Sequence, residues 1–195
     1  MFDSIQNYLL ANWIEIVGAF LSLIYLYLSV NQKISLWIFG FLSSAFYIVI
    51  FFESKFYADM TLQFYYLVVS VYGLINWQRG KNQETKEDLP VTNVGKKQSL
   101  TLGLITMLIF AAYYIVLKHY TDSPVPIGDS FTTALCIVGT WMLARKMLEN
   151  WLLFILADGI CIGLFIYKEL YPTAILFTIY TIVAIIGYFR WKRSM

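Results

Sequence analysis

The chain has 195 residues, 59% hydrophobic and only 13% charged, with a net charge of +2 and a mean hydropathy of +0.66. Soluble domains carry about 25% charged residues, so the composition excludes an ordinary soluble fold and implies a polytopic membrane protein in contact with a lipid bilayer. Its few basic residues sit at segment ends rather than in a stripe, which excludes a nucleic-acid partner.

Met1 to Asn12 shows no basic n-region and no small-residue cleavage site, so no removable signal peptide is expected. Seven apolar segments follow, at about 13–31, 35–53, 58–78, 99–118, 130–146, 150–167 and 171–190. Each is near the roughly 20 residues a helix needs to cross hydrocarbon, and in lipid a helix satisfies its own backbone. Very short linkers make the first three segments antiparallel neighbours, and likewise the last three. Between them lies one long polar stretch, Arg79 to Lys97, and the fourth segment.

The two halves repeat. Residues 35–81 laid without a gap on 149–195 align Trp37 with Trp151, Phe51 with Phe165, Tyr57 with Tyr171, Tyr66 with Tyr180, Gly73 with Gly187, Trp77 with Trp191 and Arg79 with Arg193. A three-helix unit reverses the side of the chain, and the fourth helix restores it. The repeats are then parallel, about an axis along the membrane normal, a relation found in transporters. The expected fold is an all-α membrane protein of seven transmembrane helices in a 3+1+3 plan: a first repeat at 1–81, a cytoplasmic loop and linker helix at 82–128, and a second repeat at 129–195.

Lys and Arg set the orientation. With the long loop inside, that side holds Lys33, Arg79, Lys81, Lys86, Lys96, Lys97, Arg145, Lys146, Arg190, Lys192 and Arg193, against Lys55, Lys118 and Lys168 outside. The amino terminus is expected outside and the carboxyl terminus inside.

No catalytic, metal or cofactor constellation is visible, and the single histidine, His119, stands beside Lys118, so an enzyme is not expected. Cys136 and Cys161 lack CxxC spacing and read as buried thiols. Trp13, Trp77 and Trp191 read as interfacial anchors. In the third segment, Asp59 suits a helix amino terminus, while Gln63, near Thr61, Tyr65 and Tyr66, should turn inward because its amide is costly against lipid. In the fifth, Thr132, Thr133 and Thr140 (beside Trp141) are placed to bond back to their own i−4 carbonyls. In the sixth, which begins Glu149-Asn150-Trp151, the i, i+3, i+7 spacing puts Trp151, Phe154 and Asp158 on one face. An acid at that depth is a candidate for function. Its counterpart in the first repeat is Ser44, so the halves share a scaffold and differ in polar content.

Arg145-Lys146-x-x-Glu149-Asn150-Trp151, Tyr167-Lys168-x-Leu170-Tyr171-x-Thr173-Ala174 and Gly187-Tyr188-x-x-Trp191, with Tyr57-Ala58-Asp59-Met60 and Tyr72-Gly73-x-x-x-Trp77, resemble the PnuC family of vitamin transporters over nearly the whole chain. The resemblance implies a SWEET-like fold in a bacterial inner membrane, usually trimeric, and facilitated diffusion made one-way by a cytoplasmic kinase that phosphorylates the vitamin. Members of this kind carry nicotinamide riboside or thiamine. The riboside pattern reads Trp-x-x-Trp-x-x-x-Asn in the sixth helix, where this chain has Trp151, Phe154 and Asp158, and Gln before the Trp of the fifth, where it has Thr140. Both vitamins contain a cationic aromatic ring suited to stacking on Trp151 and Phe154. Two amides lost and an acid gained tilt the expectation to thiamine, with nicotinamide riboside as the alternative and a sugar facilitator or a non-transporting sensor as rivals outside the class. The expected substrate residues are Asn150, Trp151, Phe154, Asp158, Thr140, Gln63, Tyr66 and Trp37.

Overall fold

In the computed structural model the described residues are 13–53, 57–80 and 88–195, without the side chains of residues 15, 57–59 and 172. Expectations for Lys55, for the side chains of Tyr57 and Asp59, and for Lys81 and Lys86 in the polar stretch fall outside them. The described residues form seven helices: α1 Trp13–Val30, α2 Leu36–Glu53, α3 Tyr57–Arg79, α4 Lys96–Tyr120, α5 Pro126–Ala144, α6 Asn150–Tyr167 and α7 Tyr171–Arg193. Five are long and apolar enough to cross a membrane: α2, α4, α5, α6 and, over Thr173–Arg193, α7. By the same measure α1 contributes only the shorter apolar stretch Ile16–Val30. Of the seven spans expected from the sequence, these five meet the length and hydropathy needed within the described residues. The polar residues that single out α3, among them Thr61, Gln63, Asn76 and Gln78, also dilute its apolar character.

The chain divides into two compact units, Met1–Asp88 and Leu89–Met195. In the first, α2 packs on both α1 and α3; in the second, the contacts run α4 to α5, α5 to α6 and α6 to α7. The linker helix α4 joins the second unit through Phe110, edge-on to Phe131 at 5.9 Å. Its other anchor is a core of Leu102, Val138, Met142 and Met147, against which Val94, Ile109, Trp141 and Leu153 pack.

Local sequence explains the helix boundaries. Pro126 and Pro172 occupy the first turns of α5 and α7, where a missing N–H costs nothing. Helices α1, α5 and α6 each end on a residue in the left-handed region without being glycine: Gln32 (φ 54°), Lys146 (φ 51°) and Glu169 (φ 59°). Each closes a terminal turn that satisfies orphan carbonyls.

The duplication seen in the sequence recurs in these details. At the α1–α2 corner the N–H of Gln32 donates to Ser29 O at 3.1 Å and that of Lys33 to Leu28 O at 3.0 Å; at the α5–α6 corner Lys146 donates to Leu143 O and Met147 to Met142 O, both at 3.0 Å. In the first unit Trp37, 1% exposed, covers Gly73 so closely that a Cβ there would lie 2.4 Å from the ring, and it meets Trp77 edge-on at 5.7 Å. In the second, Trp151 covers Gly187 at 2.7 Å and meets Trp191 at 5.5 Å.

These stacks correct the reading of Trp77 and Trp191 as interfacial anchors. They are 4% and 0% exposed, because each tucks its edge against the partner tryptophan. Trp13, 53% exposed, keeps an outward position.

Candidate functional site

The polar groups of the second unit gather along the α5–α6 seam. The helices run antiparallel, and the facing positions follow one register: Asp129 with Lys168, Gly128 with Leu164, Thr132 with Cys161, and Gly139 with Phe154. Asp158 lies on α6 one turn from Phe154 and interacts electrostatically with both Cys136 and Cys161.

At one end Lys168 donates to both carboxylate oxygens of Asp129, at 2.9 and 3.1 Å, and Ser123 adds a hydroxyl donor at 2.7 Å. The ammonium also lies 5.8 Å over the ring of Phe165. Sequence reasoning missed this pair. Its signal was a Lys just past the end of one apolar segment and an Asp at the start of the segment before it.

Mid-seam, the hydroxyls of Thr140 and Thr132 donate back to Cys136 O at 2.7 Å and Gly128 O at 3.0 Å, as the sequence suggests for threonine in membrane helices. Thr140 therefore has acceptor capacity left but no free proton. Asp158 is half-buried, and no described residue offers it a hydrogen bond or an ion pair. A carboxyl group so placed is costly unless something else meets it. Cys136 and Cys161 are free thiols and half-buried, less enclosed than expected.

Trp151, Phe154 and Asp158 do share one face of α6, yet the two rings are not parallel walls. Their planes meet at 74° with centroids 6.2 Å apart, and Trp151 is 1% exposed beneath Gly187 and Trp191. A planar ligand in this conformation meets Phe154 rather than a sandwich. Asn150 is fully buried, its Nδ2 donating to Met147 O, and its Oδ1 has no partner among the described residues; Trp151 Nε1 is likewise buried without a partner among them. Buried polar atoms are nearly always bonded, so the lone Asn150 Oδ1 is exceptional; an unpaired buried indole N–H is found at Trp37 of the first unit as well.

The remaining expected residues belong to the first unit. Trp37 fills the role there that Trp151 fills in the second, on Gly73. Gln63 and Tyr66, one turn apart on α3, are both half-buried, and Tyr66 is tilted against Tyr65 at 5.6 Å.

Comparison with known proteins adds a family to this geometry. The nicotinamide mononucleotide transporter family matches residues 12–193. The nicotinamide riboside transporter PnuC of Escherichia coli strain K12 is 26% identical over 99% of this chain and 95% of its own length. That of Neisseria mucosa is 23% identical over 93% and 73%. A crystal structure of the vitamin B3 transporter PnuC superposes with a TM-score of 0.73 at 21% identity, covering 94% of this chain and 84% of the other, a likeness of fold.

Proposed function

Since the chain belongs to the nicotinamide mononucleotide transporter family, matched from residue 12 to residue 193, we propose that it carries nicotinamide riboside across a membrane. The family and the relatives are transporters, not enzymes, and the chain is a multi-pass membrane protein. The observation that carries the substrate reading is the near-full-length match to relatives named for nicotinamide riboside. It corrects the expectation of thiamine, which leaned on Phe154, Asp158 and Thr140 standing where aromatic and amide residues are usual. Three exchanged side chains weigh less than a match spanning 99% of the chain.

In the second unit the proposed contacts are the face of Phe154 and the carboxylate of Asp158 for the cationic pyridinium ring, with Asn150 Oδ1 and the acceptor side of Thr140 for hydroxyl or amide protons. Trp151 supports Phe154 from below. Gln63, Tyr66 and Trp37 remain proposed contributors from the first unit. The finer plan is proposed with it: repeats at 1–81 and 129–195 in a parallel SWEET-like relation, supported by the matched corners and tryptophan stacks, and joined by 82–128. So are an outside amino terminus, supported by the count of basic residues, a homotrimer in the bacterial inner membrane, and downhill transport with trapping by a cytoplasmic kinase.

Radiolabelled counterflow in proteoliposomes tests the reading. Nicotinamide riboside should exchange without ATP or an imposed ion gradient, and unlabelled thiamine should compete poorly. Preferential exchange of thiamine, or of a sugar, would overturn it.

A further inference from the structure

The α5–α6 corner carries chemistry that its backbone does not need. The first unit builds the same corner with Gln32, Ser35 and Leu36 where the second has Lys146, Glu149 and Asn150. In the second unit the segment 89–94 is strapped onto these residues. Lys146, 1% exposed, donates from Nζ to Leu89 O at 2.8 Å. The N–H of Thr92 donates to Lys146 O at 3.0 Å, and Leu148 N–H returns a bond to Thr92 O at 2.9 Å. Glu149 accepts the N–H of Val94 on both carboxylate oxygens, at 3.0 Å each. Two charged side chains are thus tied to this loop, at a corner whose backbone turn also forms in the first unit with Gln32 and Ser35 in their places.

What the strap holds is the amide of Asn150. The two Thr92 bonds fix the peptide groups on either side of Met147, and Met147 O accepts from Asn150 Nδ2. With its nitrogen committed, the amide leaves Oδ1 as a buried acceptor with no partner among the described residues. Glu149 directly precedes Asn150, and its bonds to Val94 stop the first turn of α6 from rotating that acceptor away.

We infer that Glu149, Lys146 and the strap at 89–94 are positioning elements for transport, aiming Asn150 Oδ1 at a hydroxyl or amide proton of a nucleoside substrate. The inference rests on the proposed placement of Asn150 in the substrate site. It gives a role to the Lys146 and Glu149 bonds at a corner where the first unit has Gln32 and Ser35.

The test is a double-mutant cycle by calorimetric titration of nicotinamide riboside into the purified full-length protein. Glu149→Ala should weaken affinity about tenfold, with binding stoichiometry and unfolding temperature near wild type. Glu149→Gln should recover most of the loss, since an amide oxygen still accepts the Val94 N–H. Lys146→Met, which keeps the volume, should cost about threefold. Asn150→Ala should lose at least as much as Glu149→Ala, and in its presence neither corner substitution should cost more. Wild-type affinity in Glu149→Ala and Lys146→Met, or a loss that persists undiminished on the Asn150→Ala background, overturns the positioning role. Wild-type affinity in Asn150→Ala alone overturns the placement of Asn150 in the site, a distinct outcome. Should Glu149→Ala fail to fold, Lys146→Met carries the same cycle.

Discussion

At the α1–α2 seam the ring of Tyr25 lies over Gly40; at the α5–α6 seam, 114 positions on, the contact is reversed, and Phe154 of the second helix lies over Gly139 of the first. A Cβ on either glycine would sit 3.0 Å from the ring. The register has survived in both seams, for Gly18 meets Tyr47 where Thr132 meets Cys161. What changed is which helix supplies bulk and which supplies polarity. The first seam is closed by small hydroxyls, with Ser22 bonded to Ser43 at 2.7 Å. The second has Cys136 at the position matching Ser22, and one position beyond the match of Ser43 it carries a carboxyl group with no hydrogen-bond or ion-pair partner among the described residues. The two seams thus share a packing register and differ in chemical equipment.

The largest effect is expected where the two copies are alike. Gly73→Ala and Gly187→Ala each drive a methyl into a buried tryptophan ring, at 2.4 and 2.7 Å, and overpacking of this kind costs about 1–3 kcal/mol. Both should lower the unfolding temperature in detergent by several degrees. A loss confined to one would show that the tryptophan stacks are not equivalent.

Next come substitutions that should separate the copies. Asp158→Ala should weaken nicotinamide riboside about tenfold by removing the charge facing its cationic ring, whereas Ser44→Ala should leave affinity within about twofold. Equilibrium binding on both variants checks this, and equal losses would move the site off the second seam. A milder version uses the swapped glycines. Gly139→Ala nudges Phe154 and should cost about threefold in affinity, while Gly40→Ala nudges Tyr25 and should register in stability at less than about 1.5 kcal/mol, with affinity unchanged.

The smallest effect is at the end of the second seam. Lys168→Met removes the ion pair to Asp129, whose side chains are 20% and 28% exposed. Partial solvent screening holds its contribution to about 1 kcal/mol, so a shift of a few degrees at most is expected, and it should shrink in high salt.

Much of this was legible beforehand. Apolar run lengths marked helices, the 114-residue offset matched the tryptophan–glycine stacks of the two units, and the spacing of Trp151, Phe154 and Asp158 marked a shared face. The burial of Trp77 and Trp191 was not legible, because an aromatic beside an arginine at a helix end looks the same whether it faces lipid or a tryptophan on the neighbouring helix. The strap was equally hidden: Lys146 and Glu149 read as ordinary helix-end charges until Leu89 and Val94, more than fifty residues earlier, were seen to be their partners.

Periodicity and composition are local properties of the chain, so the membrane class, the helix order and the candidate face of α6 could be read from it directly. Which ring lies over which glycine, which hydroxyl is already spent on its own helix, and which carboxyl is left without a partner depend on distances between segments far apart in sequence. Those were decided by tertiary packing, where each side chain has one set of neighbours.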